Sequence, residues 1–160
     1  MSKTPFIRPR ITTKASHSFA IVASQYNNSY VQPLVDSASA EINDLEPGAH
    51  VFVVRVPGSF EIPLAVKLAA VRQFDAIVAL GVILQGETAH AELIARSVTG
   101  ALLNLALEFR VPVIHEVLLL DNEEQAKARC LGTKLNRGIE AARAAVAMAR
   151  TVKDLSSKAN

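Results

Sequence analysis

Ala76-Ile77-Val78-Ala79-Leu80-Gly81-Val82-Ile83-Leu84-Gln85-Gly86-Glu87-Thr88-Ala89-His90 decides the fold of this chain. From Ala76 to Leu84 there is no polar side chain, and the run stops at Gln85-Gly86. A threonine and a histidine follow, then apolar residues at helical spacing: Ile94, Val98, Ala101, Leu102 and Leu105. An uninterrupted apolar run bounded by turn residues reads as a strand buried on both faces. The spacing beyond it predicts a helix over Thr88–Phe109. The first N–H groups of a helix have no partner within it and attract anions. A histidine beside them can move a proton near neutral pH. One short window therefore offers an anion cradle and an acid/base group.

The same grammar repeats outward. Phe19–Ser24, Val51–Val56 and Val111–Leu120 read as strands. Val31–Leu45, Phe60–Phe74, Asn122–Cys130 and the alanine-rich stretch Asn136–Lys153 read as helices, with Glu46-Pro47-Gly48 as a stop signal. Apolar strands alternating with helices predict a parallel sheet covered on both faces by right-handed crossovers, an α/β doubly wound sandwich. Such sheets bind ligands at the carboxyl ends of their strands. Loops beginning at Ser24, Pro57, Gln85 and Leu120 should gather there. The chain reads as a single domain over 1–160, with 1–14 as a basic, proline-containing tail that is either disordered or laid on a neighbour.

Composition excludes several classes. Hydrophobic residues make up 50% of the 160, enough to form a core and leave apolar surface for partners. Net charge is +2, tryptophan is absent and aromatics are 5%, so neither a basic tract nor a stacking platform suggests nucleic acid. No apolar run has the length of a membrane span, and the N-terminus lacks the apolar middle of a secretion signal, so a cytoplasmic protein is expected. The single cysteine, Cys130, can build neither a disulfide framework nor a zinc cluster. It is either a nucleophile or a small apolar filler.

Val56-Pro57-Gly58-Ser59-Phe60-Glu61-Ile62-Pro63, Gly86-Glu87-Thr88-Ala89-His90, Asn122-Glu123-Glu124-Gln125-Ala126, Arg129 and Gly132-Thr133-Lys134 occur in this order. Together they resemble the lumazine synthases, from about Phe19 to Met148. The resemblance implies a flavodoxin-like sandwich with a four-stranded parallel sheet. It implies a transferase of riboflavin biosynthesis, condensing 5-amino-6-(D-ribitylamino)uracil with 3,4-dihydroxy-2-butanone 4-phosphate without metal or cofactor. The products are 6,7-dimethyl-8-ribityllumazine, phosphate and water.

By that resemblance His90 is the catalytic histidine; the alternative, read from the residues alone, is a solvated histidine of a first helical turn. Gly86, Glu87 and Thr88 match the phosphate loop, where Thr88 is an N-cap or a first-turn donor. Glu87 itself reads as solvated or structural, because two anions repel. Arg129 matches a phosphate clamp, for which the guanidinium fork is suited, or is an exposed helix arginine. Lys134 matches a lysine near the same site or is simply solvated. Tyr26 stands where the family stacks an aromatic on the pyrimidine, followed by Asn27. Glu61 matches the ribityl-binding glutamate, flanked by Ser59 and Phe60, or serves only a helix start. Val82 and Ile83 would meet the ring through their backbone.

His115 departs from the family's aromatic, as do Gln85, Ala91 and Leu119 from their usual residues. The resemblance implies a homo-oligomer built of pentamers, with His115, Arg129 and Lys134 reaching a neighbour's site. The short turn Gly132–Gly138 implies a sixty-subunit shell of twelve pentamers, and association with riboflavin synthase is implied too. The alanine-rich final helix would suit a subunit interface, and Pro5 and Pro9 would let the tail add an edge strand to a neighbour. Three other classes are compatible with parts of the pattern: a non-catalytic flavin or lumazine binder, a structural shell, and a flavodoxin-like electron carrier. His90 and Arg129 speak against the first. The lack of tryptophan and of a Ser/Thr-rich loop after the first strand speaks against the last.

Overall fold

The computed structural model describes residues 6–12, 16–86 and 88–157. Its elements are β1 (Ser18–Ser24), α1 (Asn28–Leu45), β2 (His50–Val56), a single 3₁₀ turn (Ser59–Glu61), α2 (Ile62–Ala70), β3 (Ala76–Leu84), α3 (His90–Phe109), β4 (Val113–Leu120), α4 (Glu123–Cys130) and α5 (Arg137–Ser157). The four strands form one parallel sheet in the order β2-β1-β3-β4. This is the α/β, flavodoxin-like three-layer sandwich expected from the alternation of apolar strands and helices.

The unbroken apolar runs follow from the layering. Phe19 and Ile21 of β1, with Val78 and Leu80 of β3, pack on α1 and α5 through Leu34, Ile42, Ala145 and Val146. The alternate residues Ala20, Val22, Ile77 and Ala79 pack on α2 and α3 through Val66, Val98 and Leu102. Each Leu, Ile or Val side chain fully withdrawn from water adds about 1.5–3 kcal/mol. A charged residue at Val78 would remove that contribution and bury an unpaired charge.

Several boundaries differ from expectation. α1 begins three residues earlier than its apolar pattern, because the Asn27 carbonyl accepts from the N–H groups of Tyr30 and Val31. α2 stops at Ala70, and the chain turns through Gln73 at φ 59° before β3. α3 begins at His90, two residues later than read.

The small residues of α5 serve its own subunit. Ala141, Ala142, Ala145 and Ala149 are buried in the core shared with α1, which corrects their assignment to a subunit interface. A Cβ on Gly138 would lie 2.3 Å from the Leu34 carbonyl oxygen, so glycine is what lets the start of α5 lie against α1.

The described part of the tail, 6–12, is likewise folded back on its own subunit. Arg143 Nη1 donates to the Phe6 carbonyl at 3.4 Å, Arg150 Nη1 to the Arg10 carbonyl at 2.7 Å, and the Thr12 N–H to Leu45 O at 3.0 Å. Arg8 adds an ion pair to Glu41 at 2.8 Å. Pro5 lies outside the described residues, and Pro9 lies in a segment that is neither helix nor strand. Beneath this strap, Arg150 Nε donates to buried Glu46 at 2.9 Å, and the other Glu46 oxygen meets His17 Nδ1 at 2.8 Å.

Candidate active site

β1 pairs with β3 only as far as Ala23↔Leu80, whereas β3 runs on beside β4 to Leu84↔Leu120. Beyond Ala23 the end of β3 loses one neighbour, and a crevice opens between β1 and β3, where the strand order reverses. Asn27 closes its floor. It takes the left-handed conformation (φ 57°, ψ 38°), which asparagine tolerates better than most residues, and its Nδ2 donates to Val82 O at 2.8 Å. The loop after β1 is thereby tied to the end of β3.

A cavity of about 780 Å³ occupies this crevice. Of the residues singled out in the sequence, Tyr26, Asn27, Ser59, Phe60, Glu61, Val82, Ile83, Gly86, Thr88 and His90 line it. Gly58, Leu84, Ala91, Leu93, Ile94 and Ser97 complete the wall. Ala91, Leu93, Ile94 and Ser97 come from α3, whose helical spacing carries the wall beyond the motif, whereas Gly58 belongs to the turn after β2 and Leu84 to the end of β3. Tyr26 and Phe60 are 74% and 63% exposed, leaving their rings free for a planar ligand.

The 3₁₀ turn carrying Ser59, Phe60 and Glu61 packs directly on β3. A Cβ on Gly81 would stand 2.8 Å from Ser59 Oγ, so the missing side chain makes room for this turn. One Glu61 oxygen accepts from the Gly58 N–H at 2.9 Å. The turn-forming and ligand-binding readings of Glu61 are therefore compatible: one oxygen fixes the loop, and the other is left for a hydroxyl donor.

Gly86, Thr88 and His90 form the other end of the cavity. The residue preceding α3 is Ala89, and no side chain among the described residues caps the helix. Thr88 lies in the bend before it, which rules out the N-cap role and leaves the first N–H groups of α3 without a side-chain acceptor among the described residues. Such an end suits an anion. His90 stands exposed at the first position of the helix, beside those N–H groups. Glu87 lies outside the described residues.

His115, Arg129 and Lys134 do not line this cavity within one subunit. His115 Nδ1 accepts from the Val117 N–H at 3.1 Å, and its Nε2 lies 2.7 Å from Thr99 Oγ1, whose own proton goes to Ala95 O. That pattern requires the neutral Nε2–H tautomer. Burial, the main cause, lowers the His115 pKa in agreement. Lys134 is exposed on the loop between α4 and α5.

Arg129 belongs to a partly buried charged cluster that sequence reasoning did not find. Burial raises the Glu116 carboxyl to about 7, against the opposing pull of Arg137 and Arg129 and with a further push from Glu140. Arg137 is ion-paired with Glu140. Arg129 Nη1 and Arg137 Nε are buried with no hydrogen-bond partner among the described residues. The visible signal was a glutamate next to His115 in a strand whose other residues are all apolar. Cys130 is buried beside the cluster, and burial followed by Glu116 raises its thiol to about 11. That protonated state favours the filler over the nucleophile. Among the described residues no three His, Cys, Asp or Glu side chains are grouped to hold a metal ion.

Comparison with known proteins gives this geometry a family. A family model described as 6,7-dimethyl-8-ribityllumazine synthase matches residues 16–153. A protein of that name from Streptomyces coelicolor is 42% identical over 142 residues, 86% of each chain. One from Burkholderia multivorans is 43% identical over 131 residues, 81% of this chain and 74% of that one. One from Coxiella burnetii is 37% identical over 145 residues, 89% of this chain and 96% of its own. The chain belongs to the 6,7-dimethyl-8-ribityllumazine synthase family.

Proposed function

We propose that this family member condenses 5-amino-6-(D-ribitylamino)uracil with 3,4-dihydroxy-2-butanone 4-phosphate to give 6,7-dimethyl-8-ribityllumazine, phosphate and water. The observation that carries the reading is a single crevice joining exposed aromatic faces, a half-engaged carboxylate, a helix start uncapped among the described residues and a histidine. The pyrimidine lies against Tyr26 and Phe60. The free Glu61 oxygen accepts from ribityl hydroxyls, with Asn27, Ser59, Val82 and Ile83 shaping the wall. The phosphate sits at Gly86, Thr88 and the start of α3.

Chemistry then needs little beyond placement and proton transfer. The uracil amine adds to the butanone carbonyl and water leaves, forming an imine. Phosphate departs by elimination, and the ribityl-bearing nitrogen closes the second ring with loss of water. His90, next to the phosphate end, takes the proton released by the attacking amine and returns one to the departing phosphate. Holding both reactants in one crevice supplies much of the rate, since well-oriented reactants reach effective molarities of about 10⁵–10⁸ M.

A neighbouring subunit completes the site in this proposal. His115, Arg129 and Lys134 stand away from their own cavity and reach the next one, where Arg129 clamps the phosphate. Support comes from unpartnered apolar surface: Leu64 and Leu68 of α2 and Leu103 and Leu107 of α3 are each more than 60% exposed. Such a face marks an interface. β2 is an edge strand with Phe52 and Val53 exposed. Pentamers, their closure into a sixty-subunit shell of twelve, association with riboflavin synthase and a cytoplasmic location belong to the same proposal. No helix among the described residues is long and apolar enough to cross a membrane.

Mixing the purified protein with both substrates tests the reaction. Lumazine absorbance and fluorescence should grow, and their absence from folded, assembled protein overturns the reading. Light scattering and electron microscopy test assembly. A hollow particle supports the shell, a stable pentamer removes only the shell, and an active monomer removes the shared site.

A further inference from the structure

Glu116 has no role in the chemistry above, yet it occupies the one partly buried group of charges near Arg129. It stands on β4 opposite Leu80 of β3, between the apolar side chains of Ile114 and Leu118. Facing it are Arg129 and Cys130 of α4 and Arg137 and Glu140 of α5. His115, the next titratable residue along β4, turns to the opposite face and bonds Thr99 of α3. Arg137 and Glu140 are ion-paired, with side chains 12% and 11% exposed. Arg129 Nη1 and Arg137 Nε retain buried N–H donors that nothing described accepts. Two cations therefore face two carboxylates, and only one of those carboxylates is tied to an arginine.

We infer that Glu116 is an internal competitor for the phosphate site: its carboxylate counters Arg129 and Arg137 while the site is empty, and it takes up a proton when a dianion binds. The charge balance gives the reason. With Glu116 ionised, the cluster is neutral and an incoming dianion gains little from it. With Glu116 protonated, the cluster carries one net positive charge, and the donors on Arg129 and Arg137 are directed to the ligand. The proton comes from solvent, and no bond other than O–H forms or breaks. A carboxyl already raised to about 7 makes this exchange accessible near neutral pH. Glu116 is thus a specificity residue: it acts through the arginines, makes binding of the doubly charged substrate pH-dependent, and leaves an uncharged ligand unaffected. The inference rests on the proposal that Arg129 receives the substrate phosphate.

Sulfate tests it on the assembled protein without catalysis, because sulfate stays doubly charged over the range used and brings no proton of its own. Calorimetry in buffers of different ionisation enthalpy should show proton uptake on binding above pH 7. Affinity should fall by up to about tenfold per pH unit there, the slope of one linked proton. In Glu116→Gln the uptake should vanish and the affinity should become flat with pH, exceeding wild type at pH 8.5. In turnover above pH 7, where the substrate phosphate is itself a dianion, the KM for the butanone phosphate should lose its pH dependence in the variant while the KM for the pyrimidine is unchanged. Wild-type binding without proton uptake overturns the inference, and this measurement needs no variant to fold. So does a variant that keeps the pH slope, one that binds sulfate more weakly at every pH, or the absence of sulfate binding. Lumazine formation with any of those results leaves the proposed reaction standing; normal sulfate linkage without lumazine formation removes the reaction instead.

Discussion

Gly81→Ala probes how closely the substrate turn is fitted to the sheet. The added Cβ would stand 2.8 Å from Ser59 Oγ, 3.2 Å from Val117 Cγ1 and 3.3 Å from Ile62 Cδ1. All three residues are less than 9% exposed, so none can swing into solvent without disturbing its surroundings. Val117 and Ile62 need to yield a few tenths of an ångström, and Ser59 needs more. Overpacking of this kind costs about 1–3 kcal/mol. At a fixed protein concentration the melting temperature should fall by roughly 3–10 °C for a domain of this size. The strain falls on the turn that carries Ser59, Phe60 and Glu61, so the KM for the pyrimidine should rise about three- to tenfold, below the ~10²-fold of a full ångström's misplacement. Adding Ser59→Ala removes the nearest atom and should recover about half of the lost stability, a coupling within the usual ~0.5–3 kcal/mol of touching residues. An unchanged melting temperature and KM in Gly81→Ala, or a second substitution that adds to the loss, would show that the turn is not held by this contact.

His90→Ala should slow turnover toward the low end of the ~10²–10⁴-fold range for a lost acid/base group. A rate equal to wild type removes His90 from the mechanism. Arg129→Ala should raise the KM for the phosphate-bearing substrate by about one to two decades, from a charge-assisted bond of roughly 1.5–3 kcal/mol, while sparing the pyrimidine. Tyr26→Ala should show the reverse selectivity, and equal weakening toward both substrates in either variant contradicts its assigned place. Arg150→Leu should destabilise the fold by about 3–5 kcal/mol by leaving the fully buried Glu46 with His17 alone. Denaturant unfolding of the isolated variant measures this, and a loss below about 1 kcal/mol refutes it.

Element order, parallel pairing and the crevice edge were all legible in the sequence, because each depends on local pattern: apolar runs, helical spacing and the glycines that end strands. Tyr26, Glu61 and His90 could be placed together because three of those strand ends meet. What escaped depends on contacts between distant segments. The start of α1 is set by the Asn27 carbonyl rather than by an apolar residue. Thr88 looked like a cap, but the chain bends there and leaves Ala89 in that place. Glu116 and Arg137 lie on different elements, and no spacing rule joins a strand glutamate to the first residue of a helix well beyond it. The tail's path is equally silent, because its partners Arg143 and Arg150 resemble any exposed helix cation until the fold is known.

That path has an evolutionary consequence. Arg143 and Arg150 grip the tail at the carbonyl oxygens of Phe6 and Arg10, atoms that every amino acid supplies. Only Arg8 contributes a side chain to the described bonds. The recognition therefore reads main chain and is nearly blind to side-chain identity. Substitutions in residues 6–11 other than Arg8 should be tolerated freely while the two helix arginines are not, so an alignment of relatives that share the strap should show a drifting ribbon over an unchanging pair of clasps.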